Sequence, residues 1–342
     1  MLDVTFAGWA ATIGLIVGLF ALDLFVSRPG HAHTIGFREA AIASVFYVSV
    51  ALAFGVVLGL LAGWDFAAEY FAGYIVEKSL SVDNLFVFVV IMSTFAVPAE
   101  LQFRVLTFGI LAALVTRAIL IALGAVLIST FSFMFLIFGL LLLGTAVRLF
   151  RHREQDPEVK ENAIVRLTRR VMPVTETYDG GRMITHVDGR RVVTPLFVVL
   201  IAIGSADLLF ALDSIPAVFG VTEEPFIVFA ANAFALLGLR ALYFLVTGLL
   251  DRLVYLSTGL SLILAFIGVK LVLHYGHLQD DSIPEVQTST SLLVIAVVLA
   301  ITVVASLLES RRDPQARAHA GFLRDTSDER RERVRRAEGA EK

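Results

Sequence analysis

The stretch Glu77-Lys78-Ser79-Leu80-Ser81-Val82-Asp83-Asn84-Leu85-Phe86-Val87-Phe88 decides how this chain is read. It sets two carboxylates, an ammonium, two hydroxyls and an amide at the head of a long apolar run. On both sides of it the chain is built from apolar segments of about 20 residues nearly free of charge, the length that crosses a bilayer. The 342 residues are 57% hydrophobic and only 17% charged, too few charges to cover soluble domains of this size. An all-α polytopic membrane protein is therefore expected. In hydrocarbon an ionisable group costs at least ~2.5–3.5 kcal/mol, so the polar cluster has to face a cavity or a partner.

Nine spans are expected, near residues 4–26, 38–62, 70–95, 103–123, 126–150, 195–220, 225–248, 254–275 and 288–308. Met1-Leu2-Asp3 carries no positive side chain, so the first run reads as a retained span rather than a cleaved signal. The expected units are two N-terminal helices (1–69), three helices (70–150), an insert (151–194), three helices (195–275), a ninth helix (276–310) and a charged tail (311–342). Within the insert, Pro157 to Met172 has apolar residues at helical spacing. Asp179-Gly180-Gly181 and Asp188-Gly189 flank Arg182–Val187, which reads as a small β-ribbon. The tail mixes charge signs with few large apolar residues and is expected to be disordered or loosely helical.

Basic residues cluster after spans one and five (Arg28 and Arg38, then Arg151 to Arg191) and in the tail, whereas acids without bases follow spans two, six and eight. Those acids are Asp65 and Glu69, Glu223 and Glu224, then Asp280, Asp281 and Glu285. The alternation puts the N-terminus outside and the C-terminus in the cytoplasm.

The opening stretch recurs. Glu77-x5-Asp83-Asn84-Leu85 in span three matches Asp207-x5-Asp213-Ser214-Ile215 in span six. Arg117-Ala118 aligns with Arg240-Ala241, and Val147-Arg148-Leu149 with Val269-Lys270-Leu271. Arg117 to Arg148 is 31 residues and Arg240 to Lys270 is 30. Consecutive units of three spans must be inverted relative to one another, and inverted repeats with polar helices meeting near the midplane are a transporter design.

Carboxylates, an amide, hydroxyls and backbone carbonyls form a hard oxygen set suited to magnesium, calcium or manganese. The candidate metal ligands are Glu77, Asp83, Asn84, Asp207, Asp213 and Ser214. Residues seven apart share a helix stripe, so Glu77 pairs with Asn84 and Asp207 with Ser214, while Asp83 and Asp213 fall about a third of a turn away. Bringing all four acids to one cavity needs local unwinding or a wide cavity. Pro216 favours unwinding, since it leaves the carbonyl of Leu212 without an amide. The alternative is that the acids neutralise Lys78, Arg117 and Arg240 in buried pairs, although such pairs stabilise little against apolar packing. Arg117 and Arg240 are expected to act as counter-charges; an oxyanion pathway built on them is the other option. Lys78 either neutralises an acid or snorkels outward. Asp23 is a pathway residue or an interfacial acid, and Asn232 an extra ligand or a helix–helix hydrogen bond. Gly55, Gly59 and Gly63 read as close-packing sites. No histidine lies mid-span, and there is no cysteine, which excludes disulfides and thiolate sites. No catalytic motif appears, so an enzyme is not expected. The basic insert and tail suit anionic lipid headgroups, and their interspersed acids argue against nucleic acid.

Three stretches, 71–88, 97–120 and above all 205–245 (SADLLFALDSIPAVFGVTEEPFIVFAANAFALLGLRALYFL), closely resemble the TerC family of bacterial integral membrane proteins, and the resemblance runs from about residue 15 to 309. It implies an inner-membrane location, tellurite resistance, and export of a divalent metal, Mn²⁺ first among them, with no resident cofactor. It also implicates Glu77, Asp83 and Asn84 in the first half and Asp207, Asp213 and Ser214 in the second. Many members carry Glu and Thr where this chain has Gly204 and Ala206, which makes the site less acidic. A metal exporter is the leading expectation. A membrane scaffold or stress-resistance component acting through partner proteins is the alternative.

Overall fold

A computed structural model describes residues 2, 4–26, 37–151, 174–175, 177–187, 190–246, 255–280, 282–284 and 286–312. The expected helix at 157–172, the Asp188-Gly189 turn and the tail beyond 312 lie outside the described residues. Ten helices are described: α1 (Phe6–Val26), α2 (Phe37–Ala62), α3 (Trp64–Thr94), α4 (Ala99–Thr130), α5 (Met134–Arg151), α6 (Pro195–Phe219), α7 (Pro225–Leu236), α8 (Leu239–Val246), α9 (Leu256–His277) and α10 (Thr288–Arg312). In hydrocarbon every backbone amide has to be satisfied within its own segment, which is why apolar runs of this length become helices. Pro195 and Pro225 open α6 and α7 at first-turn positions, where a missing N–H costs nothing.

Seven of the helices are long and apolar enough to cross a membrane, eight if α7 and α8 are one broken span. α3 is longer than most, at 31 residues, but carries Asp65, Glu69, Glu77, Lys78 and Asp83. This is a multi-pass integral membrane protein.

The contacts fix relative directions. Phe135 meets the His274 ring, while Gly139 meets Gly268 and Leu271, and Leu143 meets Gly268; α5 and α9 are antiparallel. Glu69 accepts from Thr222 at 2.5 Å, Gly73 abuts Val218, and Asn84 shares a cavity with Asp207; α3 and α6 are antiparallel too. α4 runs parallel to α6, with Gly109 on Ile203, Arg117 on Asp207 and Gly124 on Phe219. α9 and α10 pair antiparallel, through Gly259 with Thr302 and Tyr255 with Ser306.

β1 (Ile184–Val187) and β2 (Arg190–Val193) form the expected ribbon, Ile184 opposite Val193. It sits at the C-terminal end of α3, where the Tyr178 hydroxyl donates to Phe95 O at 2.8 Å. Burial pushes the Tyr178 phenol up from its ordinary pKa, which keeps the proton it donates in place.

Two expectations change. α6 stays helical through Pro216, with Gly220 N returning to Pro216 O at 2.9 Å, so the chain does not unwind beside Asp213. Proline this near a helix end removes one amide without forcing a break. Gly55 and Gly59 do admit aromatic neighbours, but Gly63 has open space around it and a φ of 117°, so its role is to turn the chain between α2 and α3.

The break lies elsewhere, between α7 and α8, which meet at 41°. Gly238 has a φ of 76°, and a Cβ there would stand 2.8 Å from Tyr47. Gly238→Ala therefore combines a left-handed backbone with a clash, and is expected to lower stability by about 1–3 kcal/mol in a thermal melt of the purified protein.

Candidate ion site between helices three, four and six

Glu77 lies near the middle of α3, Arg117 near the middle of α4 and Asp207 near the middle of α6. These helices bring them together. Arg117 is 1% exposed and its Nη1 pairs with Glu77 Oε1, itself wholly buried. Arg117 Nη2 lies 3.3 Å from Asp207 Oδ1. The Asn84 amide completes the cluster: in the orientation its neighbours require, it donates to Leu80 O at 3.1 Å and accepts from Arg117 Nη2 at 3.3 Å. The planar guanidinium suits this work, because its fork offers donors to several oxygens at once.

The cluster is not saturated. Glu77 Oε2, Asp207 Oδ2, Ser81 Oγ and Ser214 Oγ are buried without hydrogen-bond partners among the described residues. Buried polar atoms are nearly always paired, so four orphans in one region are a signal. Ser81, Asn84, Arg117 and Asp207 line a cavity of about 10 Å³, room for roughly one water. Two carboxylates against one guanidinium leave the described cluster with an excess of negative charge.

The register of α3 on α6 adds a regularity. With residue 69 beside 222, 73 beside 218 and 84 beside 207, Glu77 stands at the level of Ser214. Each repeat's acid is thus level with the other repeat's small polar residue.

The family model described as integral membrane protein TerC family matches residues 62–314. The chain belongs to the TerC family. Among its relatives, an uncharacterized membrane protein of Mycobacterium tuberculosis is 47% identical over 318 residues, covering 89% of this chain and 79% of that one. The chloroplastic thylakoid membrane protein TERC of Arabidopsis thaliana is 44% identical over 266 residues, covering 78% and 68%. A putative membrane-bound redox modulator, Alx, of Photorhabdus laumondii is 38% identical over 308 residues, covering 87% and 94%. No solved structure matches.

Within this TerC chain the other sequence candidates fall in different places. Asp213 is turned toward α5, where Thr145 Oγ1 donates to its Oδ1 at 2.9 Å. Asp83 is on α3, with its side chain outside the described set. Asn232 is buried in α7, and its Nδ2 has no partner among the described residues. Arg240 pairs with Asp23 Oδ1 of α1 at 2.5 Å and stacks over Phe103 at 4.4 Å. Lys78 donates to Ala235 O at 3.1 Å and Leu237 O at 3.5 Å. Among the described residues, no three acidic or histidine side chains converge closely enough to hold a metal ion.

A second cavity, of about 490 Å³, opens where α3 begins and α6 and α9 end. Asp65, Glu69, Glu223 and Glu224 line it with Lys270 and His274, and His274 Nε2 lies 3.0 Å from Glu223 Oε1. Reading the sequence placed these acids on one side of the membrane but did not foresee that they share a vestibule. Glu69 and Glu77 are eight residues apart on α3, so the vestibule begins about 12 Å from the buried cluster along the helix.

Proposed function

We propose that this TerC-family protein is a membrane carrier of divalent cations, Mn²⁺ first among them, and neither an enzyme nor a holder of a resident cofactor. The observation that carries the reading is the set of buried hard oxygens on Glu77, Asp207, Ser81 and Ser214 that have no partner among the described residues, the two acids near the middle of their helices. Such atoms suit a hard cation that replaces water with carboxylate and hydroxyl oxygen. In the conformation seen here Arg117 occupies both carboxylates, so an entering cation has to displace its guanidinium. The internal charge lets the empty carrier return without two bare carboxylates in a low-dielectric interior. Asp83 joins the ligand set from the same helix, and Asp213 opposite Thr145 is a second station.

Nine crossings and an inverted repeat belong to this proposal. The antiparallel pairings of α3 with α6 and of α5 with α9 support inversion, as does the level placement of Glu77 with Ser214 and Asn84 with Asp207. Equivalent groups meeting reciprocally is the geometry a two-fold axis produces. We place the acid-lined vestibule outside the inner membrane, as an exit that holds cations by its charge, and the basic ribbon and C-terminus inside, against anionic lipid. The relatives named as redox modulators do not alter this reading: without cysteine, thiol–disulfide exchange is closed to this chain, and a redox effect would run through its cargo.

The test is uptake into proteoliposomes containing a metal-sensing dye, comparing Mn²⁺ with Ca²⁺, Mg²⁺ and tellurite. Glu77→Gln and Asp207→Asn are expected to slow Mn²⁺ entry at least about tenfold, the equivalent of roughly 1.4 kcal/mol of binding. Wild-type rates in both variants would discard the site. Wild-type vesicles no more permeable than empty ones would discard transport and favour the scaffold reading.

A further inference from the structure

Lys78 is a half-buried charge that the acid cluster does not use. It follows Glu77 directly, so it points about 100° away around α3, toward the α7–α8 break rather than toward Arg117. Among the described residues its ammonium meets no carboxylate. It sits instead on Ala235 O and Leu237 O, at 3.1 and 3.5 Å. In an unbroken helix those carbonyls would accept from the amides of Leu239 and Ala241. The chain turns away first: Leu237 has φ −61° and ψ 133°, and Gly238 is left-handed. α7 thus ends inside the protein after 12 residues, presenting free carbonyls and the negative end of its dipole, about half an elementary charge. Ends of this kind, with unwound carbonyls beside them, are where membrane carriers bind alkali cations.

We propose that the α7–α8 break is a monovalent-cation site which Lys78 keeps filled with its own ammonium, in place of a free Na⁺ or K⁺. The tethered charge offsets the half-helix dipole and ties α3 to the bend. A chain built this way needs no dissolved alkali ion to hold the broken helix. Removing the ammonium without filling its space uncovers a carbonyl cradle with the preferences of an alkali-metal site. The inference concerns a site apart from the acid cluster and holds whatever that cluster carries.

The experiment is a thermal melt of the purified full chain in NaCl, KCl and choline chloride at equal ionic strength. Wild type is expected to melt at one temperature in all three salts. Lys78→Ala is expected to melt lower in choline and to regain about 2–4 °C in Na⁺ or K⁺, saturating with concentration as a bound ligand does. Lys78→Gln keeps neutral donors for the two carbonyls and fills most of the space; it should remain low in choline and gain less from the alkali ion than Lys78→Ala. Should Lys78→Ala leave the membrane aggregated, recovery of monodisperse protein in each salt is the same readout. Equal behaviour of Lys78→Ala in all three salts, or full stability of Lys78→Gln in choline, would overturn the cation site and leave a hydrogen-bonding lysine.

Discussion

Replacing Arg117 with methionine is expected to lower the stability of the purified protein by about 3–5 kcal/mol, the usual loss when one partner of a buried ion pair is removed. The side chain is 1% exposed and holds Glu77 and Asp207 together. Without it Glu77 and Asp207 lose the cation that joins them in the buried interior, Asp207 lining a cavity of about 10 Å³. Neutralising them in the same background, as Arg117→Met with Glu77→Gln and Asp207→Asn, should recover most of the loss, because the amides need no counter-charge. If a divalent cation is the cargo, Mn²⁺ should raise the melting temperature of Arg117→Met more than that of wild type, since it no longer competes with a guanidinium. A loss under about 1 kcal/mol in the single variant would mean the three groups are not coupled as the geometry requires.

The second large effect is expected where α5 crosses α9. A Cβ on Gly268 would stand 2.9 Å from Gly139 O and 3.0 Å from Leu143 Cγ, and a Cβ on Gly139 would stand 2.9 Å from Gly268 O. The obstacle on each side is backbone, which cannot rotate away as a side chain can. Gly268→Leu should therefore cost about 3 kcal/mol, at the top of the range for overpacking, and Gly268→Ala about 1. In a bilayer this crossing relies on close backbone approach rather than hydrophobic exclusion, so a detergent melt or an unfolding titration reads it directly. If Gly268→Leu melted with wild type, the two helices would be held chiefly by their flanks. Transport measured on Gly268→Ala would then show whether the α5–α9 pair moves as a unit.

Much of the architecture was legible before any coordinates. Apolar runs of bilayer length can only be helices, because unsatisfied amides are not tolerated in lipid. The recurrence of an acid, five residues, then Asp and a small polar residue marked α3 and α6 as partners, and the structure packs them together. The six-residue spacing already set Asp213 about a third of a turn away from Asp207, and α5 is the helix that receives it, through Thr145. Pro216 misled because it is the conspicuous helix-breaker; the true break is at Leu237-Gly238, where a glycine between two leucines looks like ordinary packing.

What the sequence by itself determined is a membrane-embedded helical protein in which an acid, five residues, Asp and a small polar residue occur on two apolar helices. Periodicity, span length and residue chemistry are properties of single segments, and they survive without knowledge of neighbours. Only the tertiary structure decided which charges meet. Arg117 is 40 residues from Glu77 and 90 from Asp207 along the chain, and Lys78 is 157 from Ala235. Those meetings depend on how far each helix slides and rotates against another, and a shift of one residue turns a side chain by about 100°. Packing across interfaces far apart in sequence sets that register. It alone joins one arginine to two acids and seats a lysine on the end of a broken helix.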